Sequence, residues 1–206
     1  RDVAPSRGLG DVYKRQGMNE EELDLAMQYG SRNPSEARDS KDLGRFGLGL
    51  KTASLSQCRC LTVATKQGDQ LRARRWDIDH VAEVGEWSLL ILDEEEISQV
   101  PQIECLMESD TGTLVVWQQL DRLKAGETNF ELALGRKIDS VREHLALVYH
   151  RYLSGESGIT KLKLSINGAA VTPIDPFLKG KSIQPMDDEV LVIRDQNIVV
   201  RPYILP

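Results

Sequence analysis

The chain has 206 residues, 40% hydrophobic and 28% charged, which suits one ordinary globular domain or one domain plus part of another. No apolar run approaches the ~20 residues of a membrane-spanning helix, and no signal-peptide pattern follows the basic N-terminal residues, so no membrane partner is expected. A net charge of −6 argues against a whole-domain electrostatic grip on nucleic acid.

Residues 1–16 carry no periodic apolar pattern. The hexapeptide from Asp11 to Gln16 back-translates to a string that resembles the transposon mosaic end used to fragment DNA for sequencing libraries. The segment reads as a non-native tail, with the gene broken just before Gly17. An ordinary disordered extension is the alternative.

A helix is expected to start at Asn19, a good N-cap, with Glu22 completing a capping-box pair. Leu23, Ala26 and Met27 give it an apolar stripe, and Gly30 a C-terminal stop. Residues 31–43 are polar, with Pro34 and several Ser and Asp, and form a long loop of the kind that often serves as an active-site lid. After the glycine-rich turn from Gly44 to Gly49, Leu50 to Ser56 read as helix. Strands are expected at 59–65, 70–77 and 86–92, the first two joined by a turn at Gln67-Gly68-Asp69. Arg72 and Arg74 fall on one face of the second strand and Arg75 on the other, a solvated sheet face by default.

Thr113 to Trp117 are β-branched and apolar, as in a buried central strand. Asn129 to Leu153 read as one amphipathic helix with Ile138, Val141, Leu145 and Val148 at spacings of three to four. A hairpin around Asn167-Gly168 and short strands near 190–194 and 198–204 complete the reading. Several strands follow one another without helices between them, which favours an α+β layered sandwich over a doubly wound parallel sheet.

Cys58, Cys60 and Cys105 form neither a disulfide framework nor, with the distant His80, His144 and His150, a metal site. Reduced thiols in a cytoplasm are the expectation.

The informative segment runs Gly44-Arg45-Phe46-Gly47-Leu48-Gly49-Leu50-Lys51-Thr52. Its GxxGxG glycines let the backbone turn tightly, and the helix that follows offers free N–H groups and a positive dipole end. Together these make an anion site suited to phosphates. A Walker loop is excluded because Leu50 separates Gly49 from Lys51. A dinucleotide fingerprint would need the order GxGxxG after a strand. The competing structural reading is three glycines in a packed turn.

Three separated pieces then line up in order and spacing. Gly17-Met18 before a helix, Gly44 to Gly49 after a polar lid, and Thr111-Gly112-Thr113 before an apolar strand resemble the glycine boxes of GHKL ATPases. That superfamily includes histidine kinases, gyrase, heat-shock chaperones, MutL and MORC proteins. The segment LGRFGLGLKTASLSQCRCLTVAT is most similar to the MORC-like branch and bacterial ATP-binding proteins.

The resemblance implies a Bergerat fold: a two-layer α+β sandwich with a mixed sheet and helices on one face, here incomplete at its N-terminus. The domain would cover 17–173, and 174–206 would open a transducer-like domain. Gly17 would let the chain pass close to adenine, with Met18 lining that pocket. The backbone of Gly44, Arg45, Phe46, Gly47, Leu48 and Gly49 would wrap the phosphates, with Thr52 beside them. Thr113 would support adenine recognition through a water. Lys51 would face phosphate or else be a solvated helix lysine.

ATP with Mg²⁺ would be the ligand of the intact protein. It would order the lid and drive a homodimerisation switch. A non-catalytic interaction module on the same fold is the alternative, and the client, protein or DNA, is left open. A histidine kinase would need a phospho-accepting histidine helix ahead of the domain, whereas His144 and His150 lie after it.

The aspartate of the first box would fall at Tyr13, inside the suspect tail. The upstream helix with a glutamate base and a magnesium-binding asparagine has no counterpart. Glu20, Glu21 and Glu22 follow the box and do not replace them. The chain as written is therefore expected to bind ATP weakly or not at all. Without that helix over the sheet it is also expected to be marginally stable.

Overall fold

The computed structural model describes residues 17–30, 48–121, 126, 128–156, 158–178, 180–181, 186–194 and 196–204. The chain divides into two compact units, Arg1–Gly135 and Arg136–Pro206.

In the first unit, helix α1 (Glu20–Met27) starts as the sequence dictates. The Asn19 side chain accepts from the Glu22 amide, and the Glu22 carboxylate accepts from the Asn19 amide. Leu23 and Met27, four apart, are both fully buried. Helix α2 (Gly49–Leu55) leads into strand β1 (Cys60–Gln67). A two-residue turn at Gly68-Asp69 joins β1 to β2 (Gln70–Asp77), which pairs with it along its whole length.

A helix precedes the expected strand over 86–92, which shrinks to β3 (Leu90–Ile91). That helix, α3 (Ile78–Val84), is capped by the Asp77 carboxylate, which accepts from the Asp79 and His80 amides, and it ends at Gly85 in the left-handed region. Asp93 and Glu96 form a second capping box that opens α4 (Glu94–Ser98), and α5 (Ile103–Met107) follows.

Strand β4 (Thr111–Gln118) completes a sheet ordered β3-β2-β1-β4, with every pairing antiparallel. The β-branched, apolar run of Thr113 to Trp117 predicts a buried, central strand. Among the described residues it lies at the sheet edge, pairing with β1, and only Val116 is fully buried.

The pleat sends alternate residues to two apolar clusters. On one face Leu61, Val63 and Trp76 pack with Leu23, Met27 and Cys58, joined by the half-buried Met18, Leu55, Val115 and Trp117. On the other face Ala64, Ala73 and Val116 pack with Leu92, Ile97, Val100, Ile103 and Leu106. The class is therefore α+β, with α1 and α2 over one face and the short α4–α5 pair over the other. Among the described residues no helix is long and apolar enough to cross a membrane.

The expected single helix over 129–153 is two. Asn129 accepts from the Leu132 amide at the head of α6 (Phe130–Val148), and Tyr149 (φ −97°, ψ 15°) interrupts the run before α7 (His150–Ser154). The second unit's core is Ala146, Leu153, Leu164, Ile166 and Val171, with Ile138, Leu145 and Tyr149 against it. Val141 and Val148, expected on this stripe, are exposed. Strands β5 (Ser165–Ile166) and β6 (Ala169–Ala170) form the expected hairpin. Both Asn167 (φ 51°) and Gly168 (φ 78°) are left-handed, as a type I′ turn requires. A second hairpin pairs β7 (Glu189–Ile193) with β8 (Gln196–Val200). His144 is exposed and His150 half-buried.

Candidate functional site

The first and third motif pieces meet at one threonine. Gly17 has φ +64°, and a Cβ there would stand 2.0 Å from the Lys66 carbonyl oxygen. Only glycine lets the chain lie this close to the end of β1. The pass aims the Met18 amide at the Thr65 hydroxyl, which accepts it at 2.8 Å. Thr65 Oγ1 also donates to the Gly112 carbonyl at 3.0 Å and lies 3.1 Å from Thr113 Oγ1. The β1–β4 register sets Thr65 opposite Thr113.

A hydroxyl has one proton and two lone pairs. With the Thr65 proton on Gly112, its lone pairs take the Met18 N–H and the Thr113 O–H. Thr113 is then fixed as a donor inward and keeps acceptor capacity for a ligand or water. Thr65 itself is fully buried. Sequence reasoning missed it, since a threonine inside an alternating strand carries no signal until the register is known.

Of the second piece, Gly44, Arg45, Phe46 and Gly47 lie outside the described residues, as does the expected lid over 31–43. Leu48 caps α2 with helical backbone angles and is partly exposed. Among the described residues a Cβ at Gly49 would meet nothing within 4 Å. Thr52 is exposed and its hydroxyl donates to the Leu48 carbonyl at 2.9 Å, closing the first turn of α2.

Lys51 departs from the solvated-lysine alternative. It is 2% exposed, and its Nζ donates to the Ala26 carbonyl at 2.8 Å. Its burial lowers the ammonium pKa. The bond ties α2 to the C-terminal end of α1, where helix carbonyls lack intrahelical partners. At the other end of α2, buried Ser54 accepts from the Trp117 indole at 2.8 Å.

The solvated-face reading of the β2 arginines is also corrected. Arg72 and Arg74 share the α1 face and Arg75 takes the other, as alternation requires, and Arg75 donates to Thr62 Oγ1 at 2.9 Å. Arg74 is buried, with Nε 2.6 Å from Asp24 and Nη2 3.0 Å from Glu20. The two carboxylates lie one helical turn apart on α1, so the guanidinium clamps that helix to β2. Glu20 thus has a packing role and Glu22 a capping role. Among the described residues no group of three or more His, Cys, Asp and Glu side chains could hold a metal ion.

Residues 15–113 match the family described as histidine kinase-, DNA gyrase B-, and HSP90-like ATPase. All three motif pieces fall inside that matched span. No curated protein matches the chain.

Proposed function

We propose, with the family match over 15–113 as premise, that this chain is the ATP-binding part of a nucleotide-driven conformational and dimerisation switch in the cytoplasm. The observation that carries the reading is the bonded set Met18–Thr65–Thr113, closed by the tight pass of Gly17. Segments 47 and 48 positions from Thr65 converge on a single hydroxyl. Adenine would lie against Met18, with the Thr113 oxygen as acceptor for a bridging water.

The Gly17 pass and the part-buried hydroxyls suit a flat, polar-edged base. The polyphosphate would lie along the backbone from Gly44 to Gly49, with Mg²⁺ arriving on the nucleotide. ATP supplies the differential contact that an order–disorder switch needs. The domain would span 17–173, with kinship to the MORC-like branch, and 174–206 would begin the element that transmits the change. Two free, buried thiols, Cys58 and Cys60, suit a reducing compartment.

The chain itself offers Tyr13 where the adenine-reading aspartate belongs, so its own affinity should be low. Nucleotide titration of the intact protein, followed by mass photometry, tests the switch. ATP-dependent dimers are expected. A nucleotide-independent mass distribution would favour the non-catalytic interaction module.

A further inference from the structure

The far end of α1 from Met18 carries a second site. Trp76, Trp87 and Tyr29 stand as a ring triad, with centroids 5.5, 5.9 and 5.6 Å apart and interplanar angles of 67°, 73° and 64°. Three planes set this steeply to one another form a corner. The triad lines a cleft of about 620 Å³ together with Asp24, Gln28 and Leu89. That volume is within the range of small-ligand pockets.

Trp76 is the fixed wall: it is buried, and its indole N–H donates to the Met27 carbonyl at 2.9 Å. Trp87 is 67% exposed, although it is the largest kind of side chain and the most costly to leave in water. Among the described residues the cleft has no cationic lining residue, and its charged member is the Asp24 carboxylate. Arg74 partly offsets that charge but is shared with Glu20, so among the described residues two carboxylates face one guanidinium and leave a net negative charge. Negative ring faces and a net negative carboxylate pair select for a positive ligand of low hydration.

We propose that this cleft binds a methylated ammonium group, either a free quaternary amine or a trimethylated lysine side chain. A cation seated over the triad lies within the ~6 Å of each centroid over which ring faces attract it. Asp24 supplies the counter-charge. The site is distinct from the Gly17–Met18 end, which lies across the 8-residue helix, about 12 Å along its axis.

The test titrates the purified 206-residue chain at constant ionic strength and follows ligand N-methyl proton linewidths by NMR. Choline is one probe and a trimethyl-lysine peptide, with its unmodified counterpart, the other. The uncharged isostere 3,3-dimethylbutanol, followed by its methyl signal, is the control. Saturable binding of choline, the peptide or both is expected, and which of them binds identifies the source. The uncharged isostere should bind at least about fivefold more weakly. Trp87→Ala should weaken binding by about fivefold or more with circular dichroism unchanged, and Trp87→Phe should recover most of it. Equal binding of the isostere, no saturable binding of either cation, or an affinity unmoved by both Trp87→Ala and Tyr29→Ala would overturn the proposal.

Discussion

The Thr65 hydroxyl accepts the Met18 amide at 2.8 Å while sitting 3.1 Å from the Thr113 hydroxyl. One buried side chain thus joins the segment after the first glycine pass to the strand that begins at Thr111. Replacing it with valine keeps the shape and removes every polar contact. Thr65→Val should cost about 1–3 kcal/mol, because the Met18 N–H and the Gly112 carbonyl lose a partner, and Thr65→Ser should restore most of it. Denaturant midpoints check the stability. In a nucleotide-competent chain, affinity should fall and recover in the same order.

Gly17 and Gly30 share φ +64° but differ in surroundings. A Cβ at Gly17 collides with the Lys66 carbonyl, whereas one at Gly30 meets nothing within 4 Å among the described residues. Gly30→Ala should cost only left-handed strain, about 1 kcal/mol. Gly17→Ala should cost clearly more, since the backbone of β1 cannot yield as a side-chain tip can. Equal losses in urea melts would show that the pass at Gly17 is not tight.

The Arg74 clamp predicts an asymmetry between its two carboxylates. Asp24 bonds Nε at 2.6 Å and is half exposed, while Glu20 bonds Nη2 at 3.0 Å and is 62% exposed. Asp24→Ala leaves a buried guanidinium short of its nearer partner and should cost about 2–3 kcal/mol after discounting for solvent. Glu20→Ala should cost about 1 kcal/mol or less. Thermal melts of the two variants decide the order.

The thiols should divide two to one. Burial pushes Cys58 up to about 11 and raises Cys60, while Cys105 is exposed. At pH 8 one thiol should react rapidly with a disulfide reagent and two only on unfolding. The sign of the pH dependence follows. A raised thiol pKa favours the folded state while the thiol stays protonated, so that contribution is complete below the unfolded value of 9.0. It is lost as pH rises through about 11. Cys58→Ala should flatten this alkaline loss.

Local chemistry made much of the fold legible. Asn19 with Glu22, Gly68-Asp69 between apolar runs, and Asn167-Gly168 each act through neighbours in sequence, and each forms the cap or turn that its residues dictate. Asp93 with Glu96 carried the same capping signal as Asn19 with Glu22, yet the acidic run around it hid α4. What escaped depends on pairing. Thr65 gains its meaning only from the β1–β4 register, and Arg74 only from α1 lying over β2. Lys51 had two sequence readings; the solvated one fails, because its ammonium reaches back 25 residues to the α1 carbonyl of Ala26.

On the proposed reading, main-chain amides between Gly44 and Gly49 would hold a nucleotide's phosphates beside Met18 and Thr113. The most direct measurement is ATP-analogue affinity in a nucleotide-competent form of the chain, with and without Gly47→Val. Binding is expected in that form, with amide shifts at Met18 and Thr113, and should be abolished by a valine side chain in the phosphate space. Undiminished affinity in the variant would contradict the account.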